Sequence, residues 1–118
     1  MNVKGKNIII TGGSLGIGRE TARFLVEKGA NVLITGRSEI RLFAAKSYTG
    51  AKIIEFDIAN TKNISKNAKR CISILEGRVD VLINNAGIGV RKSINELSIE
   101  DFLKVFNVNV FGLALFTK

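Results

Sequence analysis

The chain reads as an α/β protein built on a doubly wound parallel sheet, and three observations carry that reading. First, short strand-like runs alternate with stretches whose apolar residues recur at helical spacing. Second, the runs Ile8-Ile9-Ile10, Val32-Leu33-Ile34 and Val81-Leu82-Ile83 are apolar throughout rather than at every other position, as strands buried on both faces are. Third, a glycine-rich turn joins the first run to the first helix. Strands separated by helices run parallel and are connected by right-handed crossovers. The expected sheet has four parallel strands in the order 3-2-1-4.

Each element has its own signal. A strand is expected over 6–11, followed by a helix over 16–28 that Gly29 closes as a left-handed cap. The second strand, 31–36, ends in Gly36-Arg37, and Ser38 opens a helix over 38–47. A third strand over 52–56 runs into Asp57 and Ile58. The helix expected over 61–76 carries Ile64, Ala68, Cys71, Ile72 and Leu75 as an apolar stripe, with Lys62, Lys66, Lys69 and Arg70 opposite. The fourth strand, 79–84, leads into Asn84-Asn85-Ala86-Gly87. A long helix from about 99 to the last residue places Phe102, Val105, Phe106, Asn109, Leu113 and Phe116 on one face. The chain has no proline, so glycine is its only strong breaker, and no repeat or linker divides the single domain, residues 1–118.

Composition narrows the function classes. The 118 residues carry 18 Lys and Arg against 10 Asp and Glu, a net charge of +8 that would suit a polyanion. The basic residues of the third helix, however, recur as one solvated face, and aromatic residues do not interleave with them as a nucleic-acid stacking platform requires. Nucleic acid is therefore not the expected partner. No apolar stretch is long enough for a membrane span or reads as a signal peptide, which makes a cytoplasmic location the expectation. The lone cysteine, Cys71, falls among core positions. Without histidine or a cysteine cluster, no transition-metal site is expected.

The turn Thr11-Gly12-Gly13-Ser14-Leu15-Gly16-Ile17-Gly18 is the segment richest in chemistry. Glycines spaced G-x-x-x-G-x-G after a strand let the backbone bend sharply and approach a diphosphate, while the following helix offers free N–H groups and the positive end of its dipole. In such a sheet the end of the second strand meets the adenosine ribose, where a carboxylate would grip both hydroxyls of NAD. Here Arg37 stands instead, and a guanidinium pairs with a 2′-phosphate. NADP(H) is thus the expected cofactor, with NAD(H) the alternative.

With T-G-x-x-x-G-x-G at 11–18 and N-N-A-G at 84–87, the chain resembles the short-chain dehydrogenase/reductase family from about residue 5 to its last residue, and so a Rossmann fold. The resemblance implies that Asp57, with Ile58, clamps adenine. It also implies that Asn85 contacts the ribose side beside Ala86 and Gly87, and that Asn109 is the catalytic asparagine holding a water in a proton relay. On the buried face of a helix that amide needs a partner, a water or a main-chain group.

The family's acid/base centre, a Ser and a Tyr-x-x-x-Lys, would lie beyond residue 118. Tyr48 to Lys52 matches the text pattern, but Gly50 interrupts it and it precedes the third strand, so the pair is not one helical turn apart. By resemblance the intact protein would transfer a hydride between NADP(H) and a carbonyl or alcohol. The alternative is a truncated or non-catalytic fragment that binds a nucleotide or a partner. The 118-residue chain by itself is expected to be inactive and, with an open fourth-strand edge and the Phe102–Phe116 stripe, to form homo-oligomers.

Overall fold

The computed structural model describes residues 2–118. Four parallel strands, β1 (Asn7–Ile10), β2 (Asn31–Gly36), β3 (Lys52–Glu55) and β4 (Val81–Ile83), form one sheet in the order β3-β2-β1-β4. Ile8, Ile9 and Ile10 of β1 stand beside Val32, Leu33 and Ile34 on one side and Val81, Leu82 and Ile83 on the other. Alternate side chains feed two cores, which is why the central strands are apolar at every position. Ile8, Ile10, Val32 and Ile34 pack under α1 (Gly16–Glu27) and α2 (Glu39–Thr49), with Ala22, Leu42 and Ala45. Ile9 and Leu33 face α3 (Ile64–Ile74), with Ile64, Cys71, Val108 and Phe116.

Local chemistry sets the element ends. Leu25 and Val26 carbonyls close α1 onto Ala30 and Gly29, the latter left-handed at φ +88°. Ser38 caps α2 by accepting from the Arg41 N–H at 3.3 Å. That helix runs two residues beyond the expected 47, to Thr49, so Tyr48 lies on its last turn and left-handed Gly50 ends it. At the lower edge of the sheet the Asn7 amide donates to the carbonyls of Leu75 and Arg78, both at 2.9 Å, and accepts from Asn31 at 2.8 Å. The Asn7 N–H also donates to Asp80, and this bond, with the Arg78 guanidinium, holds the Asp80 carboxyl below the usual range. These side-chain ties occupy the approach to β4, which is only three residues long rather than the expected six.

The last part of the chain departs from the expected single helix. It comprises α4 (Ile99–Phe106), a π-turn over Asn107–Gly112 and α5 (Leu113–Thr117). Ser98 and Asp101 form a reciprocal capping box at its start. An i→i+5 turn is inserted there, and the buried positions of this part of the chain are Val108, Gly112 and Phe116. Phe102 and Phe106, expected in the core, are exposed with Leu103, Val110, Phe111 and Leu115. Ile72 of the α3 stripe is likewise exposed. Among the described residues no helix is long and apolar enough to cross a membrane.

Candidate functional site

A groove of about 640 Å³ crosses the carboxyl ends of the strands, where the chain turns from β1 to α1 and from β4 onward. Ligands of doubly wound sheets bind at this position because adjacent crossovers diverge there. Its floor is the turn after β1. Gly13 N–H donates to the Thr35 carbonyl at 3.0 Å, fixing the turn to β2, and the buried Thr11 hydroxyl accepts from the N–H groups of Asn85 (3.1 Å) and Ala86 (3.0 Å), fixing it to the end of β4. Asn85 completes the tie by donating from its amide to the carbonyls of Thr11 (3.1 Å) and Gly12 (3.0 Å). Asn84 instead donates to the Thr117 hydroxyl.

The glycines have different jobs. Gly18 lies against Asn85: a Cβ there would collide with the Asn85 amide nitrogen and stand 2.7 Å from the Gly12 carbonyl. Gly16 is left-handed, φ +57°, and a Cβ on it would meet nothing within 4 Å, because the space beside it is open groove. Of the two positions, only Gly18 is required by helix–strand packing. The helix begins at extended Leu15 with no side-chain cap and no acidic residue in its first turn. Its first N–H groups and dipole therefore present positive potential to the groove.

The walls bring most of the other expected residues together, whereas Ile17 points to solvent and is not among the groove's lining residues. Ser14, Leu15, Arg37, Asp57, Ile58, Asn85, Ala86 and Gly87 all line the groove. Asp57 does not cap the next helix. Its carboxylate accepts from the Ala59 N–H at 2.9 Å in a local turn, and the residue lines the groove. Arg37 enters no ion pair among the described residues. Sequence reasoning missed Arg41, which lines the same end of the groove and is also without an ion-pair partner there. The signal was present in Ser38, since an N-cap at 38 puts residue 41 in the first turn beside the end of β2. Two arginines thus line the groove beside the end of β2.

Asn109 is half-buried and engaged in both directions: its carbonyl oxygen accepts from the Ile88 N–H and its amide donates to the Ile88 carbonyl, each at 2.9 Å. Its partner is the main chain. Tyr48 lies outside the groove, its ring packed against the guanidinium groups of Arg19 and Arg23 and its hydroxyl bonded to Glu20 at 3.3 Å. No three His, Cys, Asp or Glu side chains cluster among the described residues.

The strand order and the groove over the glycine turn define the class of doubly wound nucleotide-fold proteins. Within it, residues 6–118 match the short chain dehydrogenase family, and the chain belongs to that family. It is 39% identical over 119 residues to the NADP-dependent (R)-specific alcohol dehydrogenase of Lentilactobacillus kefiri, an alignment covering 98% of this chain and 47% of that enzyme. A 3-ketoacyl-(acyl-carrier-protein) reductase of Brucella melitensis, solved with NADH, superposes with a TM-score of 0.89 at 30% identity, over 98% of this chain and 48% of that one. A blue fluorescent protein from a metagenomic library, solved with NADPH, gives 0.87 at 31% identity, over 98% and 50%. The chain spans about half the length of the relatives it matches.

Proposed function

We propose that this chain binds NADP(H) across the groove and forms the cofactor-binding half of an oxidoreductase that moves a hydride between NADP(H) and a carbonyl or alcohol. The residues fit the group. The uncapped start of α1 and the open space at Gly16 suit a diphosphate, and Asp57 with Ile58 offers polar edges to adenine. The observation that carries the choice of cofactor is the pair Arg37 and Arg41 at the end of β2, where a carboxylate would favour NAD. NADP(H) in that groove supplies the hydride; the chain's own residues bind and orient it. The NADP-dependent relative and the NADPH-bound structural neighbour support this reading.

Asn109 holds the segment after β4 by both atoms of its amide, so a part in a proton relay falls to its main-chain carbonyl within the π-turn. No tyrosine, lysine or histidine lines the groove among the described residues, which favours the second reading for the 118 residues by themselves: a module that binds dinucleotide without turnover. A second copy is the proposed occupant of the exposed face of Phe102, Leu103, Phe106, Val110 and Phe111, since a contiguous apolar helix face calls for cover and a two-fold contact covers the same patch on both subunits. The test of cofactor choice is Arg37→Asp. Removing a charged hydrogen bond worth about 1.5–3 kcal/mol lowers NADPH affinity roughly tenfold to hundredfold and turns the preference toward NADH. An Arg37→Asp variant that keeps the unmutated preference sinks the assignment.

A further inference from the structure

The π-turn is the one interruption in the terminal helix, and it lies where that helix passes the groove. Such turns insert one residue and rotate the remainder of the helix, so the groups before and after them meet surroundings that a regular helix would not offer. Here the two groups are Asn109 and Gly112. Asn109 holds Ile88, on the wall after β4, through both atoms of its amide. Gly112 is buried against the opposite wall, where a Cβ would collide with the main-chain oxygen of Ile58 and stand 2.8 Å from the Asn107 carbonyl. Gly112 is thus squeezed between its own π-turn and the loop that comes after β3.

Upstream, Phe56 N–H ties the start of that loop to β2 by donating to the Gly36 carbonyl at 3.0 Å. Asp57 closes it locally by accepting from Ala59 N–H through its carboxylate and from Asn60 N–H through its carbonyl, at 2.9 and 3.0 Å. The Ile58 side chain anchors it below, in the core with Val108 and Phe116. Neither tie fixes the height of the Ile58 main chain relative to the groove. The approach of the π-turn does, and only a residue without Cβ permits it.

We propose that Gly112 is a positioning residue: its bare Cα seats the π-turn against the main chain of Ile58, so that one turn of helix sets both walls of the groove, Ile88 through Asn109 and Asp57–Ile58 through Gly112. The proposal rests on the nucleotide reading only in naming the ligand that the Asp57 wall meets, the adenosine end of NADP. A side chain at 112 pushes the loop away and loosens that end while leaving the central strands in place.

Amide hydrogen exchange and titration with adenosine 2′,5′-bisphosphate test it. In Gly112→Ala, exchange at 58–60 is expected to speed up at least about tenfold and affinity for the bisphosphate to fall about tenfold, with β1 and β2 amides unchanged. In Asn109→Ala the change moves to 86–89 and spares 58–60. A folded Gly112→Ala with unaltered exchange at 58–60 overturns the proposal. Should that variant not fold, the unmutated chain decides: the bisphosphate is expected to slow exchange at 58–60 and at 108–112 together, and protection of 58–60 alone overturns the coupling. If the bisphosphate does not bind the unmutated chain, the nucleotide reading fails, while the exchange comparison between Gly112→Ala and the unmutated chain still judges the positioning role.

Discussion

Alanine should damage two glycines two residues apart through different properties, stability at Gly18 and dinucleotide affinity at Gly16, and the difference lies in the surroundings of each one. At Gly18 a methyl group displaces the Asn85 amide, whose two bonds to the Thr11 and Gly12 carbonyls hold the end of β4 to the end of β1. Two hydrogen bonds at about 1 kcal/mol each, with the added cost of leaving their carbonyls short of a partner, come to about 2–4 kcal/mol. The gain in helix propensity from Gly to Ala returns about 0.5–1 kcal/mol, leaving a net loss near 2 kcal/mol. At Gly16 nothing is displaced, and only the left-handed backbone is penalised, about 1–2 kcal/mol. The methyl there points into the groove, so Gly16→Ala loses dinucleotide affinity out of proportion to its stability. Urea unfolding read beside NADPH fluorescence titration separates the two. A Gly18→Ala variant as stable as the unmutated chain, or a Gly16→Ala variant with undiminished affinity, would refute the reasoning.

Three further outcomes are expected. Burial pushes the Cys71 thiol up to about 11 from its ordinary 9.0, with Arg70 pulling weakly the other way. The folded thiol stays neutral where the unfolded one ionises, so stability is intact below pH 9 and falls by about 2–3 kcal/mol as pH rises through 11; a Cys71→Ala variant with the same alkaline slope would contradict this. Phe106→Asp should convert a dimer or larger species into monomer in sedimentation at tens of micromolar, and an unmutated chain that already sediments as monomer removes the proposed self-contact. The 118-residue chain should bind NADPH yet reduce no carbonyl in a substrate panel, because a positioned proton donor is worth about 10²–10⁴ in rate and no tyrosine, lysine or histidine lines the groove among the described residues.

Most of the scaffold was legible because it depends on local patterns. Unbroken apolar strands announced a sheet covered on both faces, and the glycine turn, Ser38 and Gly29 marked helix ends that the structure reproduces. The terminal helix was read wrongly in phase because a π-turn has no composition of its own. Asn107 to Gly112 satisfies helical periodicity as a sequence, yet it forms a wider turn that meets Ile88 and Ile58, and Phe102 and Phe106 on the α4 turn before it stay exposed. Gly16 and Gly18 looked equivalent in the motif, and only the position of Asn85, 67 residues later in the sequence, tells them apart. Arg41 escaped notice for the opposite reason: its place on the groove is set by how α2 leaves β2, which spacing alone does not state.

The most direct test of the central claim is a pair of titrations on one preparation of the unmutated chain, NADPH against NADH, followed by cofactor fluorescence at fixed ionic strength. If Arg37 and Arg41 receive a 2′-phosphate, NADPH binds roughly tenfold to hundredfold more tightly, and the margin narrows as salt is raised. Equal affinities for the two cofactors, or binding of neither, would contradict the account.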